Sequence, residues 1–139
     1  MNLEKYKILI IGYGSMGRKH AQVLKSMGAN NLFFYSKQKN IPYKRINNLN
    51  EVKKLDPNYI IITSNTSDHY WQLKLLEKEL KNKIILIEKP LFTEYKKIKI
   101  KYNKIFVGYN LRFHPIIQFI KKKIKTKKLW RALAIFGSY

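Results

Sequence analysis

Hydrophobic residues in this chain fall into short unbroken runs, separated by polar stretches with helical spacing. Lys5–Ile11 (KYKILII) reads as a buried strand that stops at Gly12, and Ser15–Met27 reads as a helix ended by Gly28. Within that helix Met16, Val23, Leu24 and Met27 are expected on the inward face. Asn31–Tyr35 (NLFFY) is a second strand, Leu49–Leu55 a short helix stopped by Asp56-Pro57, and Tyr59–Thr63 (YIIIT) a third strand. A polar loop, SNTSD, leads to a helix over His69–Leu80, with Trp71, Leu75, Leu76 and Leu80 as its apolar anchors. Lys83–Ile87 (KIILI) is a fourth strand cut off near Pro90, and Lys104–Val107 (KIFV) a fifth. Residues 94–103 fit either period, because I-K-I-K-Y alternates like a strand where a connecting helix is expected. Continuous apolar strands that alternate with helices predict an α/β fold, a doubly wound parallel sheet covered on both faces.

Between the first strand and the first helix lie Gly12, Gly14 and Gly17, spaced G-x-G-x-x-G. In that context the first glycine allows a sharp turn, the second leaves room for a diphosphate against the backbone, and the third lets helix pack closely on strand. Free N–H groups at the helix start, near Gly12, Tyr13, Gly14, Ser15, Met16 and Gly17, then favour an anion. The second strand should end beside the adenosine ribose. Sites for NAD usually place a carboxylate there, whereas this chain has Tyr35-Ser36-Lys37-Gln38-Lys39. A hydroxyl beside lysines suits a 2′-phosphate, so Ser36 and Lys37 point to NADP(H) in preference to NAD(H).

Two further motifs stand after strands, where ligands bind in such sheets: TSNTSDHY after the third and Glu88-Lys89-Pro90 after the fourth. A third, VGYNLRFHP, follows the fifth strand. Together with the glycines these make the chain resemble the glucose–fructose oxidoreductase / inositol dehydrogenase / rhizopine-catabolism (Gfo/Idh/MocA) family over Lys7–Tyr139. The resemblance implies a Rossmann cofactor domain in residues 1–115. It also implies an oxidoreductase that moves hydride between a nicotinamide and a sugar, cyclitol or related polyol. By motif, Lys89 looks like the lysine set beside nicotinamide and substrate, the candidate catalytic residue. Glu88 looks like a cofactor contact or a partner orienting Lys89. Thr66 and His69 match the T-x-x-H loop that lies along the cofactor, and Ser64 and Asn65 beside them are cofactor-binding candidates, although Asn65 stands where many relatives have proline. Arg112 looks like a contact near the cleft.

Relatives of that kind carry a second, larger domain that supplies the substrate pocket. Here residues 116–139 read as a connecting helix and, at Leu129–Phe136, only the first strand of that domain. The expectation is therefore a cofactor-binding part that is truncated or split, not active alone, and completed by a homo-oligomer or a separate chain. Composition adds limits. The chain has no cysteine, so disulfide and thiolate chemistry is closed, and three scattered histidines give no metal spacing. The start, MNLEKYKILIIG, lacks a signal peptide's apolar stretch, and no run spans a bilayer, which points to the cytoplasm and away from a membrane. The formal charge is +21, and residues 95–139 hold thirteen bases and no acid. That excess supports an alternative, a non-enzymatic nucleotide-sensing or polyanion-binding module, or else a fragment without function. No helix-turn-helix spacing or aromatic ladder favours nucleic acid.

Overall fold

A computed structural model describes residues 3–127. The chain divides into two compact units, Met1–Gly108 and Tyr109–Tyr139. The first unit contains β1 (Ile8–Ile11), α1 (Ser15–Ser26), β2 (Leu32–Tyr35), β3 (Lys44–Arg45), α2 (Val52–Leu55), β4 (Tyr59–Ile62), α3 (Thr66–Glu79), β5 (Ile84–Ile87) and β6 (Lys104–Val107). All pairings are parallel, and the sheet order is β3-β2-β1-β4-β5-β6. This is the doubly wound Rossmann order, with the direction of winding reversing between β1 and β4. The second unit holds a short 3₁₀ turn, Asn110–Phe113, and α4 (Pro115–Lys127). The strand expected at Leu129–Phe136 lies outside the described residues.

The central strands are aliphatic because both of their faces are covered. Leu9, Ile11, Ile60, Ile62, Ile85 and Ile87 point to one face, where they pack with Val52, Leu73, Leu76 and Leu80 of α2, α3 and the α3 end. Ile8, Ile10, Leu32, Phe34 and Ile61 point to the other, against Ala21 and Ala29. On that side α1 departs from the expected face. Its buried residues are Gly17 and Ala21, with Leu24 half-buried, whereas Met16, Val23 and Met27 are 40%, 52% and 59% exposed. Close approach of helix to sheet selects the small residues Gly17 and Ala21 on the inward face, with Leu24 partly covered beside them, and leaves Met16, Val23 and Met27 outside.

Helix α3 shows a related departure. It starts at Thr66, three residues before the expected start, and its buried stripe is His69, Gln72, Leu73, Leu76 and Glu77. Trp71, expected in the core, is 42% exposed. A stripe with three polar members conceals its period from a hydrophobic pattern, and it is stable only because each of them is bonded. Glu77 shows how. Its Oε1 accepts from the main-chain N–H groups of Lys101 and Tyr102, both at 2.6 Å, and its Oε2 accepts from Asn103 Nδ2 at 2.7 Å. Asn103 passes the connection on, since its Oδ1 accepts from Lys83 N at 3.0 Å. These bonds hold residues 94–103 as an irregular connection, neither helix nor strand. Strand β3 lies beyond the hydrophobic pattern as well, because its two residues, Lys44 and Arg45, are both charged.

Replacing Glu77 with Ala removes the acceptor of two partly buried main-chain N–H groups and leaves buried Asn103 Nδ2 with Leu80 O alone, and this should lower unfolding free energy by about 2–4 kcal/mol. Glu79→Ala, which removes only the bridge to exposed Lys78, should stay within about 0.5 kcal/mol. Urea unfolding of both variants checks the contrast.

Candidate functional site

The carboxyl ends of β1, β2 and β4 open onto one groove. It is lined by Gly12, Tyr13 and Gly14 from the β1–α1 turn, by Tyr35–Gln38 after β2, and by Thr63–Asn65, Asp68, Trp71 and Gln72 after β4. The turn is knotted to β4. Thr63 Oγ1 donates to the carbonyls of Ile11 and Gly12, both at 3.0 Å, and Thr63 N bonds Ile11 O at 2.8 Å. Gly12 has φ +101°, and a Cβ there would lie 2.8 Å from Ser64 N and from the Thr63 carbonyl. A Cβ at Gly17 would collide with Gly12 O and meet Thr63 Oγ1 at 2.9 Å. Both glycines are therefore demanded by the fold itself.

Gly14 is different. It caps α1 in an extended conformation open to any residue, φ −74° and ψ −167°, and a Cβ there would meet nothing within 4 Å. Folding alone gives no reason for glycine at this position. The bare space belongs to the groove, directly before a helix whose first turn has no side-chain cap and no acidic residue. N–H groups at Ser15, Met16 and Gly17 begin that helix, so the hollow has the shape and polarity of a diphosphate seat. Tyr13 lines the groove while its ring stacks edge-on against Phe34, with centroids 5.1 Å apart.

Ser36 and Lys37 sit on the groove wall after β2, and the Ser36 hydroxyl accepts from Gln38 N at 3.1 Å, which tightens the loop. Ser64 and Asn65 lie on the facing loop, and Ser64 Oγ donates to Gln72 Oε1 at 2.6 Å. Thr66 begins α3 and is half-buried. His69 lies beneath this loop, 1% exposed, with Nε2 3.1 Å from Ser64 O and Nδ1 3.2 Å from Leu91 O. Its ring thus ties the loop after β4 to the segment after β5. Glu88 and Lys89 follow β5. Glu88 Oε1 is 2.8 Å from His20 Nε2 of α1, and Gly108 packs against the same carboxylate. Lys89 is exposed, with no hydrogen bond or ion pair to a described residue. Arg112 lies in the second unit.

Two groove residues, Trp71 and Gln72, lie outside the motifs, and others within the quoted stretches are not singled out as contacts. Trp71 reads as core from its place in an apolar period, yet it lines the groove and donates Nε1–H to Asp68 Oδ1 at 3.1 Å. Tyr35, Gln38, Thr63, Asp68 and Gln72 enter through strand register and the early start of α3. His20 reads in the sequence only as an isolated histidine, because its partner lies 68 positions away.

A doubly wound sheet with a glycine-lined seat at its switch point defines a dinucleotide-binding domain. Residues 6–104 match the model of the oxidoreductase family with an NAD-binding Rossmann fold, and the chain belongs to that Gfo/Idh/MocA family. No curated protein matches the sequence significantly. Among solved structures, apo scyllo-inositol dehydrogenase from Lactobacillus casei is similar at 17% identity and a TM-score of 0.71, over 94% of this chain and 44% of that one. The WlbA dehydrogenase from Thermus thermophilus, in complex with NAD and UDP-GlcNAcA, aligns at 16% identity and a TM-score of 0.69, over 87% and 47% of the two chains. Biliverdin reductase from Synechocystis, in complex with biliverdin and NADP+, aligns at 12% identity and a TM-score of 0.64, over 86% and 43%. This chain thus spans less than half the length of those structures. None of these similarities supports the polyanion-binding alternative. Among the described residues no helix is long and apolar enough to cross a membrane.

The unequal demands on the glycines give a direct check. Gly14→Ser installs a favourable helix cap and should leave stability within about 1 kcal/mol of wild type, or raise it. Gly17→Ala forces a Cβ against the Gly12 carbonyl and should cost at least about 2 kcal/mol. Thermal unfolding without ligand separates the two.

Proposed function

We propose that this chain is the NADP(H)-binding part of an oxidoreductase acting on a sugar, cyclitol or related polyol. The observation that carries the reading is Gly14, a glycine with no structural need for its bareness, facing a groove at an uncapped helix start. Preference for NADP(H) over NAD(H) rests on the β2 loop, where Ser36 and Lys37 stand in place of a carboxylate. The carboxylate that does line the groove, Asp68, lies on α3 and accepts from the Trp71 indole.

In this reading the amides of Ser15, Met16 and Gly17 hold the diphosphate, while Gly12, Tyr13 and Gly14 shape its seat. Ser36 and Lys37 take the ribose end, and Trp71 offers the groove an aromatic face for a base. Ser64, Asn65 and Thr66 border the path toward β5, held in place by the His69 clamp. The nicotinamide, when bound, supplies the hydride-exchanging carbon. Lys89 supplies an ammonium Nζ that hydrogen-bonds the substrate oxygen and exchanges its proton. Glu88, fixed by His20, sets where the Lys89 backbone lies.

Hydride transfer also needs the substrate carbon within about 3–3.5 Å of its acceptor in a site closed to water. This chain spans less than half the length of the similar structures, and in this reading the substrate wall comes from beyond the described residues or from another chain. Cofactor binding and turnover are therefore separable here, with binding the property of this domain.

NADPH at 100 times its dissociation constant should raise unfolding free energy by about 2.7 kcal/mol. Gly14→Val should remove that shift by filling the seat, with the unliganded protein still folded by circular dichroism. Equal responses from wild type and Gly14→Val would remove the basis of the reading. Trp71→Ala should weaken NADPH binding by about tenfold, from the loss of one stacked base, read by calorimetry.

A further inference from the structure

Arg45 is a half-buried cation on the two-residue edge strand β3. Register places it beside Phe34 of β2, directly under the loop that follows that strand. Its guanidinium spans the loop: Nη1 donates to Lys39 O at 2.8 Å and Nη2 donates to Ser36 O at 3.2 Å. Between those two anchor points lie Lys37 and Gln38, and the turn is closed by the bond from Gln38 N to Ser36 Oγ. Nε is buried without a hydrogen-bond partner.

The charge of Arg45 is equally uncompensated. Among the described residues no ion pair involves it. Elsewhere in the first unit the well-covered Lys83 ammonium is matched by Asp56 at 2.7 Å. The chain has eight acids for twenty-nine bases, so a cation partly withdrawn from water is costly here unless an anion arrives from outside. At the same time Arg45 occupies two carbonyl oxygens, the loop groups that would repel a phosphate. Its planar fork suits two acceptors at once, which a lysine's point charge does not.

We propose that Arg45 is the positioning residue for 2′-phosphate selectivity: by bridging the Ser36 and Lys39 carbonyls it fixes the Ser36–Lys39 loop and places a positive charge beneath it. The inference rests on the NADP(H) reading and deepens it. Ser36 and Lys37 meet the phosphate, and Arg45 acts through them. Asp68 works in the opposite sense, as a negative group on the α3 wall of the same groove.

The test uses the full chain and two probes that differ only in the phosphate, 2′,5′-ADP and 5′-AMP, titrated by calorimetry. Wild type should bind 2′,5′-ADP at least about tenfold more tightly, with the difference shrinking as salt rises. Arg45→Gln should weaken 2′,5′-ADP by about tenfold while 5′-AMP stays within about twofold. Arg45→Lys, which keeps charge and bulk, should also lose most of the preference because it cannot hold both carbonyls. Equal losses for the two probes would reduce Arg45 to a structural strap and overturn the proposal, as would Arg45→Lys with its full preference intact. A wild type that binds both probes equally overturns the NADP(H) reading itself. A preference that survives Arg45→Gln overturns only the role of Arg45.

Discussion

Everything in the groove depends on how closely α1 approaches the sheet. Gly17 lies against the carbonyl of Gly12, and Thr63, just after the neighbouring strand β4, donates its hydroxyl to the carbonyls of Ile11 and Gly12. This contact works only with hydrogen in place of a side chain at two positions. It sets the helix start directly above the ends of β1 and β4, with its first N–H groups aimed at the switch point of the winding. A single methyl group at Gly17 would push the helix away, and with it the seat that Gly14 leaves open.

Around that contact the domain uses its few acids sparingly. Glu77 organises the connection between β5 and β6, Asp56 matches Lys83, Glu88 meets His20, and Asp68 holds the Trp71 indole. Each of these carboxylates is tied to a particular structural role. The positive excess left over is spread across the surface, where exposed charges are screened and weak. Arg45 is an exception because it is half-buried and tied to the backbone. Charge placement therefore carries more meaning here than net charge.

The sheet was legible because its strands are nearly pure aliphatic runs, such as Tyr59–Ile62 and Ile84–Ile87, bounded by glycine, proline or polar residues. The glycine turn was legible because its spacing coincided with a strand-to-helix change. What stayed hidden depends on partners distant in sequence. Strand β3 is two charged residues, visible only through its pairing with Phe33 and Phe34. Val23 and Met27 look like core in a helical wheel, yet the approach at Gly17 and Ala21 leaves them outside. Trp71 looks like core for the same reason, and α3 buries Gln72 and His69 in its place because Ser64, with its hydroxyl and its carbonyl, satisfies them. The clamp by His69 and the strap by Arg45 join main-chain carbonyls, which no side-chain motif records.

In the proposed reading a diphosphate rests on the main-chain amides at the start of α1. Amide chemical shifts of the full chain, followed during titration with NADPH, test it most directly. The largest saturable changes should fall on Gly14, Ser15, Met16 and Gly17, with a second group at Ser36–Gln38. Shifts confined to the lysine-rich α4, with the amides of residues 14–17 unmoved at saturation, would contradict it.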